Sequence, residues 1–323
     1  MPEDTPSTLI EAVRYFADGA VCEAYMGSVR WQDGNVTCPH CGASGDRIGK
    51  IESRHKYQCK ACRKQWSNKV GTIFEDSPLP LGHWFVAVWA VANCKNGISS
   101  HELARALGVQ QRTAWFMLHR IRHAMAVDSE DRFDGEAEAD TTYVGGRAKN
   151  MHAHKRERKI RGRGATGKAP VHGVLQRGDS ERPSVVRATV LDNERQESLL
   201  SHVRRNVRYG ANVYTDSAES YGDLALTHVH SAVDHSTRYA IGHVHTNGLE
   251  NFWSLLKRSL RGTYVAVAPF HLHRYVAEQV YRFNERKGGD ASRFVEVLRN
   301  VIGKRLTYRV LTAQDDAGFM GLT

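Results

Sequence analysis

Three acidic residues sit in three different local settings: Asp140 in EAEADTTYVGG, Asp216 in NVYTDSAESY and Glu250 in HTNGLENFWSLLKR. The first two close apolar, strand-like runs and the third opens a helix-like run. Carboxylates that converge from separate elements suit hard divalent cations such as Mg²⁺ or Mn²⁺, two per site. Two such ions about 4 Å apart can orient a nucleophilic oxygen, stabilise a leaving oxygen and offset phosphate charge. The chemistry this predicts is phosphodiester cleavage. Asp140 most simply bridges both ions, and Asp216 and Glu250 hold one each. No protein nucleophile is required, because water or a DNA 3′-hydroxyl attacks in line.

The elements that must position these groups follow from the hydrophobic pattern. Strand candidates are 137–144, 171–177, 184–191, 211–215 and 228–233, and helix candidates are 193–206, 217–225 and 248–260. An Asp on a strand, an Asp at a later strand end and a Glu on a following helix is the order in which an RNase H-like fold builds a two-metal site. The class expected is therefore α/β, with a mixed five-stranded sheet and helices over 134–265. Other oxygen ligands compete. Asp134 and Glu136 lie close to Asp140, and Glu138 shares its strand face. Asp192 and Glu219 rival Asp216, and Asn247 rivals Glu250 one helical turn earlier. Lys257 follows Glu250 by seven residues and shares its helix face. Lys257 and Arg258, with Arg261 as a third, are placed to contact DNA phosphate near the cut. Trp253 lies on or near the same side. His243, His245 and Asn247 lead into the helix and suit either the scissile strand or a structural role.

Upstream, Cys38-Pro-His-Cys41 and Cys59-Lys-Ala-Cys62 are two CxxC turns separated by 17 residues. Together they supply the four ligands of a closed, structural Zn²⁺ site. Ile48, Tyr57 and Trp66 are placed to cover it. His40 and His55 are bystanders, and Cys22 and Cys94 are core thiols. Residues 1–34 carry short helices, 35–70 the zinc ribbon, and 78–127 a helical module. Within that module Ile98–Trp115 has a helix-turn-helix pattern. Ser99 or Ser100 caps the first helix, Gly108 permits the turn, and Gln111, Arg112 and Thr113 stand near the start of the second helix, where base edges are read. Residues 266–323 read mostly as a C-terminal helical segment.

The chain of 323 residues has a formal charge of +10. Binding zinc through four thiolates lowers that by two, and the balance still suits a polyphosphate partner. Residues 147–168 hold nine Lys/Arg, one Glu and no aromatic residue. They read as a mobile basic loop in which Lys155, Arg156 and Arg158 grip phosphates. No signal peptide and no membrane span of roughly 20 apolar residues is expected. CxxC pairs of this kind fit a reducing compartment.

With these blocks in view, the sequence resembles bacterial insertion-sequence transposases of the ISXO type, which join a zinc ribbon to a DDE-type domain. The likeness runs from Cys22 through Trp31, the Cys38–Gly42 knuckle, Gly97-Ile-Ser and Thr113–Arg122. It continues through Asp140 with Tyr143-Val-Gly-Gly146, Tyr214-Thr-Asp216, Asn247–Arg258, Arg274-Tyr275 and Arg282-Phe-Asn284. It implies an RNase H-like fold, divalent metal, catalytic carboxylates at Asp140, Asp216 and Glu250, and a basic helix residue at Lys257. It also implies double-stranded DNA as partner, both element ends and target, with a homodimer or larger assembly pairing two ends in the cytoplasm, at the nucleoid. One departure is Thr141, which stands where relatives commonly carry an acid. The competing functions are a non-catalytic DNA-binding protein that keeps the fold and a structure-specific nuclease of the same class.

Overall fold

The computed structural model describes residues 5–126, 129–145, 167–216, 219–233 and 244–313. The chain divides into two units, Met1–Met125 with Gly288–Thr323, and Ala126–Lys287. The N-terminal helices, ribbon and helical module fall in the first unit, and the segment after 266 is shared between the two.

The first unit begins with helices α1 (Leu9–Tyr15) and α2 (Gly19–Arg30). A Thr8/Glu11 capping box starts the first and Asp18 caps the second, satisfying backbone N–H groups that a helix start leaves open. Helix α3 (Leu81–Asn93) buries Trp84, Phe85, Val88, Trp89 and Val91 and is the centre of this unit. Helices α4 (Ser100–Leu107) and α5 (Gln111–Met125) pack together as the expected helix-turn-helix. Ser99, with Glu102, is the cap, and Gly108 closes α4 at φ 66°, a left-handed conformation that glycine adopts without strain.

The ribbon strands β1 (Ile48–Ile51), β2 (Lys56–Cys59) and β3 (Gln65–Trp66) form a small antiparallel sheet. Its sulfurs converge. Cys38 Sγ is 3.7 Å from Cys62 Sγ, Cys41 Sγ is 3.6 Å from Cys59 Sγ, and all four lie within 4.8 Å of one another. Sulfurs about 2.3 Å from a tetrahedral Zn²⁺ must stand about 3.8 Å apart, so the set fits that ion. The residue after each pair takes a left-handed φ, 73° at Gly42 and 61° at Arg63. The fully buried apolar set is only Cys38, Cys59 and Trp66, flanked by Ile48, Tyr57 and Val70. A core this small does not hold a sheet without a metal.

The second unit is built on a five-stranded sheet, β4 (Glu136–Val144), β5 (Ala169–Gln176), β6 (Val185–Val190), β7 (Asn212–Asp216) and β8 (Val229–Val233), in the order β6-β5-β4-β7-β8. All five lie within two residues of the expected spans. β4 is central, antiparallel to β5 and parallel to β7. Helix α6 (Gln196–Asn206) and a 3-10 turn (Glu219–Leu226, where an α-helix was expected) cover one face with Leu199, Leu200, Val203, Tyr221 and Leu224. Helices α7 (Asn247–Ser259) and α8 (Leu272–Asn284) cover the other with Leu249, Phe252, Leu256 and Val276, against Val171, Leu175 and Val186. The Asn284 amide donates to the carbonyl of Val186 at 3.0 Å and accepts its N–H at 2.8 Å, a side-chain partner for edge strand β6.

Two glycines let α7 settle onto the sheet. Gly173, opposite Asp140 in register, would place a Cβ 2.8 Å from the Trp253 ring. Gly248 would place one 2.8 Å from Glu138 Oε2. The chain then returns to the first unit, where α9 (Asp290–Arg299) buries Phe294 among Phe16, Phe85 and Trp89, and the short α10 (Tyr308–Thr312) follows.

Two outcomes follow. Cys59→Ser is expected to lose bound zinc, by metal analysis, and amide-exchange protection in β1–β3, while the five-stranded sheet keeps its protection; retained metal and protection would refute the structural site. Gly173→Ala is expected to cost about 1–3 kcal/mol in urea unfolding, because the indole has to move off the strand. An unchanged midpoint would mean the contact relaxes freely.

Candidate active site

Alternation along β4 sends Glu136, Glu138, Asp140 and Thr142 toward α7, and Ala137, Ala139, Thr141 and Tyr143 the other way. Asp140 is half-buried and its Oδ2 accepts a 2.8 Å hydrogen bond from Trp253 Nε1. Burial raises its pKa to about 6, the indole bond opposes that, and the charges of Asp216 and Glu250 push it up further. Asp216 ends β7 and is half-buried, and Glu250 is exposed in the first turn of α7.

An open cleft of about 570 Å³ is lined by Asp140, Thr142, Glu250, Trp253, Ser254, Lys257, Arg258 and Arg261. The lining carries two carboxylates, Asp140 and Glu250, and three cations, Lys257, Arg258 and Arg261, groups that suit a cation and a phosphate respectively. Burial, then neighbouring Arg261, lowers the Lys257 pKa. Among the described residues, the ribbon cysteines are the only group of three or more ligand side chains gathered within 4.8 Å. Asp140, Asp216 and Glu250 are not such a group. The Asp140 carboxylate accepts from the Trp253 indole and from the Thr141 backbone N–H.

Glu138, a candidate ligand by its strand face, is occupied otherwise. It is 1% exposed. Its Oε1 accepts from Arg177 Nε at 2.9 Å and lies 3.3 Å from His245 Nδ1, and its Oε2 accepts the backbone N–H of Leu249 at 3.0 Å. Leu249 lies in the first turn of α7, whose own N-cap, Thr246, makes no side-chain cap bond. Glu138 therefore caps α7 from a neighbouring strand and complements its dipole. Arg177 also donates to the His245 carbonyl at 2.7 Å, reaches Glu136 at 3.4 Å and lies over the Tyr214 ring. His245 is thus part of this strut.

Thr141 faces the opposite side and pairs in register with His172. Buried His172 joins His202 at 2.6 Å and the Tyr221 hydroxyl at 3.1 Å. An acid at position 141 would point away from the cleft. Asn247 and Asp192 are exposed, and neither lines it. His243, the Glu219 side chain, and Lys155, Arg156 and Arg158 with most of the 147–168 loop lie outside the described residues.

In the first unit, Gln111, Arg112 and Thr113 occupy the first turn of α5, as expected. Gln111 donates to Ser100 Oγ at 2.7 Å. Arg112 donates to the Tyr308 hydroxyl at 2.6 and 3.0 Å and stacks 4.8 Å from that ring. Cys22 is a core thiol that donates to the Phe16 carbonyl, and burial raises its pKa to about 11. Trp253, Gly173 and Arg177 are the site residues whose roles the sequence left unassigned.

Comparison with known proteins agrees with this geometry. Residues 132–284 match the ISXO2-like transposase domain, and residues 17–65 match the transposase zinc-ribbon domain. A protein of Halobacterium salinarum described as an uncharacterized protein in transposable element ISH50 is 30% identical over 246 residues, covering 73% of this chain and 81% of the relative. An uncharacterized transposase-like protein of Haemophilus influenzae is 34% identical over 100 residues, covering 31% of this chain and 80% of the relative. No helix among the described residues is long and apolar enough to cross a membrane. With a four-cysteine ribbon, a five-stranded mixed sheet and two matching domains, this chain belongs to the ISXO2-like transposase family.

Proposed function

We propose that the protein is a DNA transposase that binds the terminal inverted repeats of its element and carries out strand cleavage and strand transfer. The observation that carries this reading is the cleft lined by both Asp140 and Glu250 and by Lys257, Arg258 and Arg261, with the Asp216 charge acting on Asp140. Asp140, Asp216 and Glu250 would hold two Mg²⁺ or Mn²⁺ ions. When bound, that pair supplies activation of the attacking oxygen and stabilisation of the leaving one. The chain's own residues do the rest. Trp253 orients the Asp140 carboxylate, and Glu138 fixes the start of the helix that carries Glu250. Lys257 and Arg258 hold the phosphate of the scissile strand against the carboxylates. Water attacks first and frees a 3′-hydroxyl, which then attacks target DNA in the same cleft.

The helix-turn-helix, through Gln111, Arg112 and Thr113, reads the element ends, with the ribbon as its support. Lys155, Arg156 and Arg158 hold flanking or target DNA. A dimer or larger assembly pairs the two ends, in the cytoplasm where the chromosome lies.

A labelled duplex carrying the element's terminal repeat tests the reading. Metal-dependent nicked and joined products are expected from the wild type, and Glu250→Gln is expected to lower them at least about a hundred-fold with DNA binding kept. Binding without cleavage by the wild type would favour a non-catalytic protein that keeps the fold, and cleavage without joining would favour a nuclease. Glu138→Gln separates a cap from a ligand. Weakening a buried ion pair that also caps a helix is expected to lower metal-free stability by about 1–3 kcal/mol, with the Mg²⁺-induced rise in melting temperature preserved. The reverse pattern would make Glu138 a ligand.

A further inference from the structure

The second unit carries another cationic surface, away from the cleft. An open hollow of about 430 Å³ is lined by Arg132, Glu197, Ser201, Arg204, Arg205 and Tyr209. Three arginines face one carboxylate, and among the described residues none of the three forms an ion pair. Arg204 Nε is buried with no hydrogen-bond partner there. Tyr209 is 61% exposed, yet its ring is stacked on His228 at 5.8 Å and 16°, with the Arg132 guanidinium 5.9 Å from its centroid. The side chains at the rim are thus held in place without being neutralised.

The location follows from the sheet. Arg132 precedes β4, Tyr209 precedes β7 and His228 precedes β8, and these three strands are parallel. They run from this hollow toward the end bearing Asp140 and Asp216. Four residues of β4, from Glu136 to Asp140, and four of β7, from Asn212 to Asp216, at about 3.3 Å each, separate the two by roughly 13 Å or more. A phosphate in the cleft therefore cannot also occupy the hollow. Unpaired guanidinium groups, a serine hydroxyl and a phenol are donors suited to phosphodiester oxygens.

We infer that this hollow is a second DNA-backbone site, engaged by DNA remote from the scissile phosphate. This deepens the transposase reading and rests on it for the identity of the polyanion. The occupant is a sugar-phosphate backbone, supplied either by the far flank of the bound end or by a second duplex.

The test uses full-length, zinc-loaded protein. Arg132→Gln with Arg205→Gln removes two exposed charges, and Arg182→Gln with Arg195→Gln removes two exposed charges of the same unit elsewhere. Melting curves confirm folding of both. With a fluorescent duplex of arbitrary sequence across a salt series, the hollow variant is expected to bind about ten-fold more weakly, with a log–log salt slope shallower by about two. The control pair is expected to match wild type. Two further arms locate the source. Loss of the affinity gained on lengthening the flank assigns it to the bound end, and loss of capture of an added second duplex assigns it to that duplex. Equal weakening by the control pair would reduce the effect to net charge and overturn the proposal, as would an unchanged slope. The readout is binding, so it separates from catalysis. Wild type that binds but does not cleave removes the transposase reading alone, and normal cleavage with unaltered binding by the hollow variant removes this one alone.

Discussion

The site depends on how helix α7 is fastened to strand β4. Two polar contacts hold it, the Leu249 N–H to Glu138 and the Trp253 indole to Asp140. They are two residues apart on the strand and four apart on the helix, so both repeats are in register over one turn. Neither contact forms unless the backbones approach closely, which Gly173 and Gly248 permit. Glu250 lies between the two clamps, and its position relative to Asp140 is set by them. Helix α7 is thus located by hydrogen bonds with fixed directions as well as by apolar packing, which alone tolerates sliding.

Burying Glu138 carries a large desolvation cost, offset only when the carboxylate is well satisfied. Arg177 provides the opposing charge and spans Glu136, Glu138 and the His245 carbonyl, tying together three segments that meet at the start of α7. Asp140, by contrast, has no ion-pair partner among the described residues, accepts from the Trp253 indole and the Thr141 backbone, and lines the cleft. Two acids on one strand face therefore have different surroundings, one buried in an ion pair and one bordering an open cleft. The opposite face repeats the logic with neutral groups, as His172, His202 and Tyr221 satisfy each other beneath Thr141.

Much of this was legible in the sequence. Strand alternation placed all five strands, because each has an apolar face that only one register can bury. The two CxxC turns fixed the ribbon, since two-residue spacing leaves sulfurs few places to point. The Ser99-Ser100 pair and Gly108 marked the ends of α4 by local chemistry. What failed to show was set by distant partners. Glu138 and Asp140 are indistinguishable by period, and the difference rests on Arg177, 39 residues on, and Leu249, 111 residues on. Arg112 has the right place for base reading, but its contact with Tyr308 is 196 residues away. The C-terminal segment reads mostly as helix without revealing that Phe294 completes the first unit.

That last feature bears on the order in which the molecule matures. The second unit is continuous in sequence and closes once α8 has been made. The unit that starts the chain cannot bury Phe16, Phe85 and Trp89 properly until Phe294 arrives, some 200 residues later. During synthesis, the cleft-bearing unit can therefore be complete while the metal-ribbon unit is still unfinished. Nascent chains would acquire a sheet with its carboxylates before they acquire a finished helix-turn-helix. Loss of the last 30 or so residues would spare the first and cripple the second. Within this fold, the C-terminal segment governs when the N-terminal half becomes a stable body.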